Sequence, residues 1–405
     1  MIAALAWRNI WRQPIRTALS MVGMAFTSML LVFMLSFQLG SYDTMKSSML
    51  KISEGFGQFQ PVGYKDDPDL AKVLKDAAAL QSELRALPAV TAAAARTSGF
   101  ALLANGERSF AAAIIGVDPA TEPQISRLPT MVQQGRALAP GDTQAIILGD
   151  GLARNLRLKL GDPVTLLGSA PDGSVAADVL TLVGIFKSNV PEIDRQMAQM
   201  PLARFQETFL MDQTVNTMAI MGAHLSDIVA AGPRLRALAA RHDAVYLDWG
   251  ELAPAVKQAI TLDISTAMMM YVTLVVVVVF IILNTLYMSV LERTREFGVL
   301  LAIGMKPGQI GRMVWLEMIF LSIAGTGIGV LLGVGVTLFF SHQGIAFEAL
   351  DEVYAQWGLP SRFYPMMSPL SVLLGPGAIV TAITVLGFIP YRRVLGLEPV
   401  SAMAA

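Results

Sequence analysis

Residues 264–291 read ISTAMMMYVTLVVVVVFIILNTLYMSVL, 28 positions without a charge. In water the valine run would suit a strand, but its length decides otherwise. Crossing about 30 Å of hydrocarbon takes roughly 20 apolar residues as a helix, and a lone strand in lipid leaves backbone groups unpaired that a helix satisfies internally. Three other stretches meet the criterion: Thr17–Tyr42, beginning TALSMVGMAFTSMLLVFMLSF; MIFLSIAGTGIGVLLGVGVTLFF after Glu317; and PLSVLLGPGAIVTAITVLGF after Arg362. Composition agrees. The chain is 54% hydrophobic and 15% charged, with mean hydropathy +0.55, against about 25% charged residues in soluble domains. A net charge of −1 gives no basic field for nucleic acid. The absence of cysteine excludes disulfides, thiol nucleophiles and thiolate metal sites. His224, His242 and His342 form no ligand-spaced cluster and are expected to be ordinary surface or interfacial residues.

The flanks set an orientation. The N-terminal arm carries Arg8, Arg12 and Arg16 and no acid; residues 292–313 carry Arg293, Arg295, Lys306 and Arg312 against two glutamates; the tail has Arg392 and Arg393. The positive-inside rule places all three in the cytoplasm, and the long segment between the first two runs outside. The first run is too long for a signal peptide and lacks a small-x-small cleavage site, so it reads as a retained anchor. The expected divisions are an interfacial N-terminal helix (1–16), spans at 17–42, 264–291, 314–340 and 369–390, an outer α+β domain with a helical stalk (43–263), a cytoplasmic loop (292–313), a short outer loop (341–368) and a cytoplasmic tail (391–405). In the N-terminal arm, Trp7 and Trp11 suit a headgroup layer and the arginines suit anionic lipid.

Within 43–263, helical periodicity predicts a helix over Asp69–Leu87 and another over Ser226–Arg241. Asn105-Gly106 predicts a hairpin. Short strands are expected at Ala145–Leu148, Val164–Leu167, Val179–Phe186, Thr217–Met221 and Val245–Leu247, in a fold of two lobes. Glu192 and Asp194 could do acid–base work, but SNVPEIDRQ reads as an exposed polar loop. No GxxxxGK[ST] occurs, so the chain is not its own P-loop ATPase.

The loop after the second span reads Leu291-ERTREFGVLLAIGMKPGQIGRMVWLE-Met318. Thr294 can cap a short helix with Glu296 in its first turn; Phe297, Leu300 and Leu301 share a face; Gly304 can end the helix and Pro307 can begin the next. From the residues alone, an amphipathic helix that docks a partner and a solvated linker are equally open. Glu317 at the membrane edge needs a partner, and Arg312 and Arg16 are candidates. Gly325, Gly329 and Gly333 allow close helix approach, either at a dimer seam or within one subunit. Gly375-Pro376-Gly377 is expected to bend the fourth span. Met24, Met29, Met34, Met268 and Met269 are either packed or lipid-facing, or line an apolar cavity between two protomers that accepts acyl chains.

The cytoplasmic loop resembles the signature of the FtsX-like/MacB-like ABC transporter permease family, with its ER-x-RE-x-G-(hydrophobic)-AIG stretch and the glutamate opening the next span. Tyr391-RRVLGLEPVSAM-Met403 resembles the family's tail. AWRNIWRQPIRTALSM, IILGDGLARNLRLKLGDPVTLLG and VYLDWGELAP resemble its lipoprotein-releasing LolC/LolE-type branch. The resemblance implies a membrane α-helical protein of four transmembrane helices with an α+β MacB-like periplasmic core domain inserted between the first and second spans, in the inner membrane. It implies a non-catalytic permease working by mechanotransmission on lipoproteins or other amphipathic substrates. ATP and Mg would sit on a separate ATPase dimer. The other implied partners are a second permease copy or paralogue, a periplasmic adaptor or lipoprotein carrier, and membrane lipids. The ATPase-coupling set would be Glu292, Arg293, Arg295, Glu296, Phe297, Gly298, Leu300, Leu301, Gly304, Lys306 and Pro307, with Phe297 seated in a groove of the ATPase. The alternative is an FtsX-like signalling subunit that activates a periplasmic cell-wall hydrolase, for which an outer domain of this size is larger than expected.

Overall fold

The computed structural model describes residues 2–356 and 358–396; the tail motif from Leu397 onward lies outside them. The chain divides into two compact units, one of residues 1–42, 260–346 and 362–405, the other of residues 43–259 and 347–361.

In chain order, α1 (Ile2–Ile10) and α2 (Pro14–Ile52) precede β1 (Gly57–Pro61), α3 (Ala77–Arg85), β2 (Ala92–Asn105), β3 (Arg108–Val117) and β4 (Val132–Gly135). Then come β5 (Ala145–Gly149), α4 (Asp150–Leu156), β6 (Pro163–Ser169), β7 (Val175–Phe186), α5 (Pro191–Gln196), β8 (Met197–Pro201), α6 (Leu202–Thr208), β9 (Thr217–Met221), α7 (Leu225–Arg241), β10 (Ala244–Leu247) and α8 (Trp249–Leu252). The chain continues through α9 (Pro254–Glu292), α10 (Thr294–Ala302), α11 (Pro307–Gln343), β11 (Ile345–Ala346), α12 (Asp351–Gln356), β12 (Arg362–Phe363), α13 (Pro369–Leu386) and α14 (Phe388–Leu395).

The α+β unit is built on one ten-stranded mixed sheet in the order β10-β1-β9-β2-β3-β8-β5-β7-β4, with β6 bridging β2 and β7. The Asn105-Gly106 hairpin forms as expected, Asn105 pairing with Arg108 and Gly106 adopting φ 58°. Two large hydrophobic clusters lie along the sheet, with a smaller third of Ile52, Leu128, Ile147, Phe186 and Val190. Of the large ones, one gathers Phe59, Leu80, Leu84, Ile220, Ile228 and Leu235; the other gathers Leu103, Ile114, Leu148, Leu156, Phe205 and Phe209.

Two local expectations are corrected. The helix expected from Asp69 begins only at Ala77. The Asp69 carboxylate accepts from Ala71 N (2.9 Å) and the Leu74 amide donates to Val215 O (2.7 Å), so these groups are spent on turns before a helix can start. Asp194 is not in an exposed loop. It is buried in α5, where one carboxylate oxygen accepts from the amide (2.7 Å) and hydroxyl (2.8 Å) of Ser188.

Among the described residues, four helical stretches are long and apolar enough to cross a membrane: Pro14–Ile52, Pro254–Glu292, Pro307–Gln343 and Pro369–Leu395. Pro376 stands inside α13 without ending it. A Cβ at Gly325 would lie 3.0 Å from Met24 Cβ, one at Gly329 would overlap the Ala25 carbonyl, and one at Gly333 would lie 2.9 Å from Val32 Cβ. The glycine face of α11 therefore packs on α2 of the same chain, and the dimer-seam alternative is not what these three positions serve. Gly327 and Gly335 meet nothing within 4 Å. The methionines part company: Met24 is fully buried against Gly325, whereas Met268 and Met269 are exposed on α9. Met24 is thus a packing residue and does not line an open cavity with the other two.

Candidate functional site

The short helix α10 lies between two long ones, and its local sequence explains its ends. Arg293 is its N-cap. Thr294, expected to be the cap, is already helical, and its hydroxyl donates back to Leu291 O (2.8 Å). At the other end Gly304 adopts φ 101°, its amide donating to Leu301 O (3.0 Å) while that of Met305 reaches Leu300 O (3.0 Å). Only a residue without a Cβ adopts this conformation at no cost. Lys306 precedes Pro307 at the first position of α11, where the missing N–H costs nothing.

Helical spacing separates α10 into two faces. Phe297 and Gly298 are fully enclosed, with Leu300 and Leu301 partly so, and the Arg293 guanidinium lies 5.3 Å from the Phe297 ring centroid. The opposite face carries Arg295, Val299, Ala302, Ile303 and Lys306, with Ile303 78% exposed. Phe297 therefore cannot seat in a partner's groove while α10 stays packed; the residues available to a partner are Val299 and Ile303. Periodicity groups 297, 300 and 301 on one face; the outward seating of Phe297 implied by the family resemblance is corrected, because that face is the enclosed one.

Charged groups of the N-terminal arm close around α10. Arg16 donates to Glu292 (2.6 Å) and to Thr285 O, and Arg12 donates to Glu296 (3.1 Å). Arg293 bridges Glu296 (3.4 Å) and Glu317 (3.3 Å), and Asn9 also donates to Glu317 (3.1 Å). Together they surround a cavity of about 200 Å³ lined by Asn9, Arg16, Ser20, Thr285, Arg293 and Glu317. Glu317 thus pairs with neither expected partner. Arg312 is five residues earlier on the same helix and exposed, a spacing that does not face it, while Arg16 is taken by Glu292. The pairs differ in weight. Arg12–Glu296, at 64% and 47% exposure, is worth about 0–1 kcal/mol; Arg293–Glu317, at 12% and 17%, is shielded from water and holds more strongly. Arg295 pairs with no acid among the described residues. The sequence signal for the role of Arg12 was an arm with three arginines and no acid, facing a loop that carries Glu292 and Glu296; the missed residue Asn9 left no such signal.

The family model described as MacB-like periplasmic core domain matches residues 17–238, more than half the chain, and that described as FtsX-like permease C-terminal matches residues 268–399. The lipoprotein-releasing system transmembrane protein LolC of Neisseria meningitidis is 26% identical over 96% of this chain and 93% of its own length. The macrolide export ATP-binding/permease protein MacB of Nitrosomonas europaea is 24% identical over 99% of this chain and 58% of its own length. Among solved structures, the periplasmic region of MacB from Actinobacillus actinomycetemcomitans aligns over 51% of this chain and 94% of that one, at 12% identity and a TM-score of 0.36. With both halves matched in order, the chain belongs to the FtsX-like, MacB-like family of ABC transporter permeases.

Proposed function

We propose that this chain is the permease subunit of an ABC transporter that works by mechanotransmission, powered by a separate ATPase that holds ATP and Mg. The α+β unit is the outer domain, inserted between the first and second spans, and both termini and α10 face the cytoplasm. The substrate class is lipoproteins or other amphipathic molecules taken from the inner membrane or its outer face, a reading supported by the likeness to LolC. A second permease, identical or paralogous, completes the membrane part, and an adaptor or lipoprotein carrier receives the cargo.

The observation that carries this is the two-faced α10. Its inner face is locked to the chain's own core through Phe297 and Arg293, and its outer face offers two bare aliphatic side chains, Val299 and Ile303, beside Arg295 and Lys306. A helix rigid on one side and apolar on the other is suited to take a push from a partner's groove. Glu292, Glu296 and Arg293 act within the chain, while Arg295 and Lys306 pair with the ATPase.

The test is Ile303→Asp. A carboxylate replacing the most exposed aliphatic of the face leaves the fold intact, because the side chain touches little. The expected result is normal membrane insertion, loss of the co-purifying ATPase, and lipoproteins retained in the inner membrane. Normal ATPase recovery and normal lipoprotein release would remove α10 from the coupling role.

A further inference from the structure

The last turn of α2 ends inside the α+β unit, and its terminal carbonyls are all occupied. Leu50 O accepts from Gly55 N (2.9 Å) and Lys51 O from Arg127 N (2.8 Å). Ile52 O accepts from the Ser126 hydroxyl (2.9 Å), and Ser53 O from Arg96 Nη1 (2.5 Å). Helix C-termini usually leave such carbonyls to water or to a local turn. Here three of the four donors come from β2 and from the turn at Glu122–Gln124 and just beyond it. The fourth is the local turn itself.

Arg96 is a costly way to cap a carbonyl. It is 3% exposed, and its charge is balanced by Glu122, 2% exposed, through a bidentate pair of 2.9 and 2.7 Å. Gln199 on β8 also donates to Glu122 (3.2 Å). Burial pushes the Glu122 carboxyl up from its usual range, against the opposing pull of Arg96, Ser126 and Gln199. Apolar residues of similar volume commonly replace a buried ion pair without loss of stability, so stability alone does not account for this one. Geometry does. Apolar packing is non-directional, and a helix end held only by it can slide and turn. A guanidinium aimed at the end of the helix meets the negative pole of its dipole, and its second arm is fixed to the sheet by Glu122. That arrangement resists both pulling and rotation. Before α9 the chain is held differently: α8 is capped by Asp248 and Glu251, Arg236 of α7 donates to Asp248 (3.2 Å), and Pro254 opens the helix.

We propose that Arg96, Glu122 and Ser126 form the joint through which movement of the first span is delivered to the outer domain, with Arg96 and Glu122 as positioning residues of the transmission. This rests on the mechanotransmission reading above.

The chain has no cysteine, so spin labels at Glu107→Cys, in the β2–β3 turn, and His342→Cys, at the end of α11, report one distance. It is measured by pulsed electron resonance on the full permease with its ATPase in lipid nanodiscs, without nucleotide and with ATP plus vanadate. The unsubstituted background is expected to show an ATP-driven change. Arg96→Met with Glu122→Leu is expected to keep ATP hydrolysis and the domain's thermal unfolding while the change shrinks several-fold, and Arg96→Lys, which keeps the charge but loses the fork, to fall between. Ser126→Ala removes one neutral hydroxyl, which donates to Ile52 O and accepts from the Leu128 amide (3.0 Å), and no charge; it is expected to fold even if the double variant does not, with a smaller but measurable loss. A change of undiminished size in the substituted chains overturns the joint alone. No change in the unsubstituted chain overturns the transmission reading, and the joint with it.

Discussion

Gly329→Leu is expected to abolish recovery of a folded, monodisperse permease from detergent extracts. A single Cβ at this position already overlaps the Ala25 carbonyl, and Ser28 Cβ would lie 2.6 Å away. The obstacle is backbone and cannot rotate aside, so α2 and α11 must separate along their glycine face, carrying Gly325 and Gly333 with them. Overpacking a core costs about 1–3 kcal/mol where side chains can adjust; where they cannot, the cost exceeds that and is a large part of a domain's total stability of about 5–15 kcal/mol. The neighbour Gly327 meets nothing within 4 Å, so Gly327→Ala is the control, expected to be neutral or slightly stabilising because alanine gains about 1 kcal/mol over glycine in a helix. Size-exclusion profiles over a temperature series separate the two. Equal behaviour would mean that α11 does not pack on α2 through these residues.

The second large effect is expected from Phe297→Ala. The ring is fully enclosed, in a buried cluster that includes Ile310, Met313 and Val314. Its removal leaves a cavity worth about 3–5 kcal/mol and strips the Arg293 guanidinium of an aromatic face worth about 0.5–1 kcal/mol. Ile303→Ala, on the outer face of the same helix, should change stability by no more than about 0.5 kcal/mol. Thermal unfolding of the purified chain without its ATPase gives the comparison. If both substitutions proved equally harmless to the isolated chain, Phe297 would be a surface residue and the two faces of α10 would have to be exchanged.

This pair of substitutions also marks where the sequence stopped being legible. Length and the absence of charge over 264–291 were enough for a membrane helix, because no other structure satisfies the backbone in lipid. Asn105-Gly106 was enough for a hairpin. Gly304 and Pro307 bounded α10 through local backbone chemistry, which a sequence carries directly. The direction in which Phe297 points is not local. A period of 3.6 shows which residues share a face, but whether that face turns inward depends on what lies beside it, and Phe297 joins a cluster that includes Ala6, Ile10 and Val394, far away in the chain. The partners of Glu317 were hidden for the same reason. Asn9 is 308 residues away, and of the several arginines near the membrane edge, tertiary packing alone selects Arg293. Arg96 left no trace either, because a lone arginine in a strand reads as surface until the helix end it caps is in view.

The placement of α10 opposite the large domain is the claim on which everything else depends, and the cysteine-free chain makes it directly measurable. In intact cells expressing Ile303→Cys or Phe100→Cys, a membrane-impermeant maleimide is expected to label the domain position, Phe100 being 69% exposed, and to leave position 303 unlabelled until the membrane is permeabilised. Labelling of both positions from the same side of the intact membrane would contradict the coupling role of α10 and the transmission built on it.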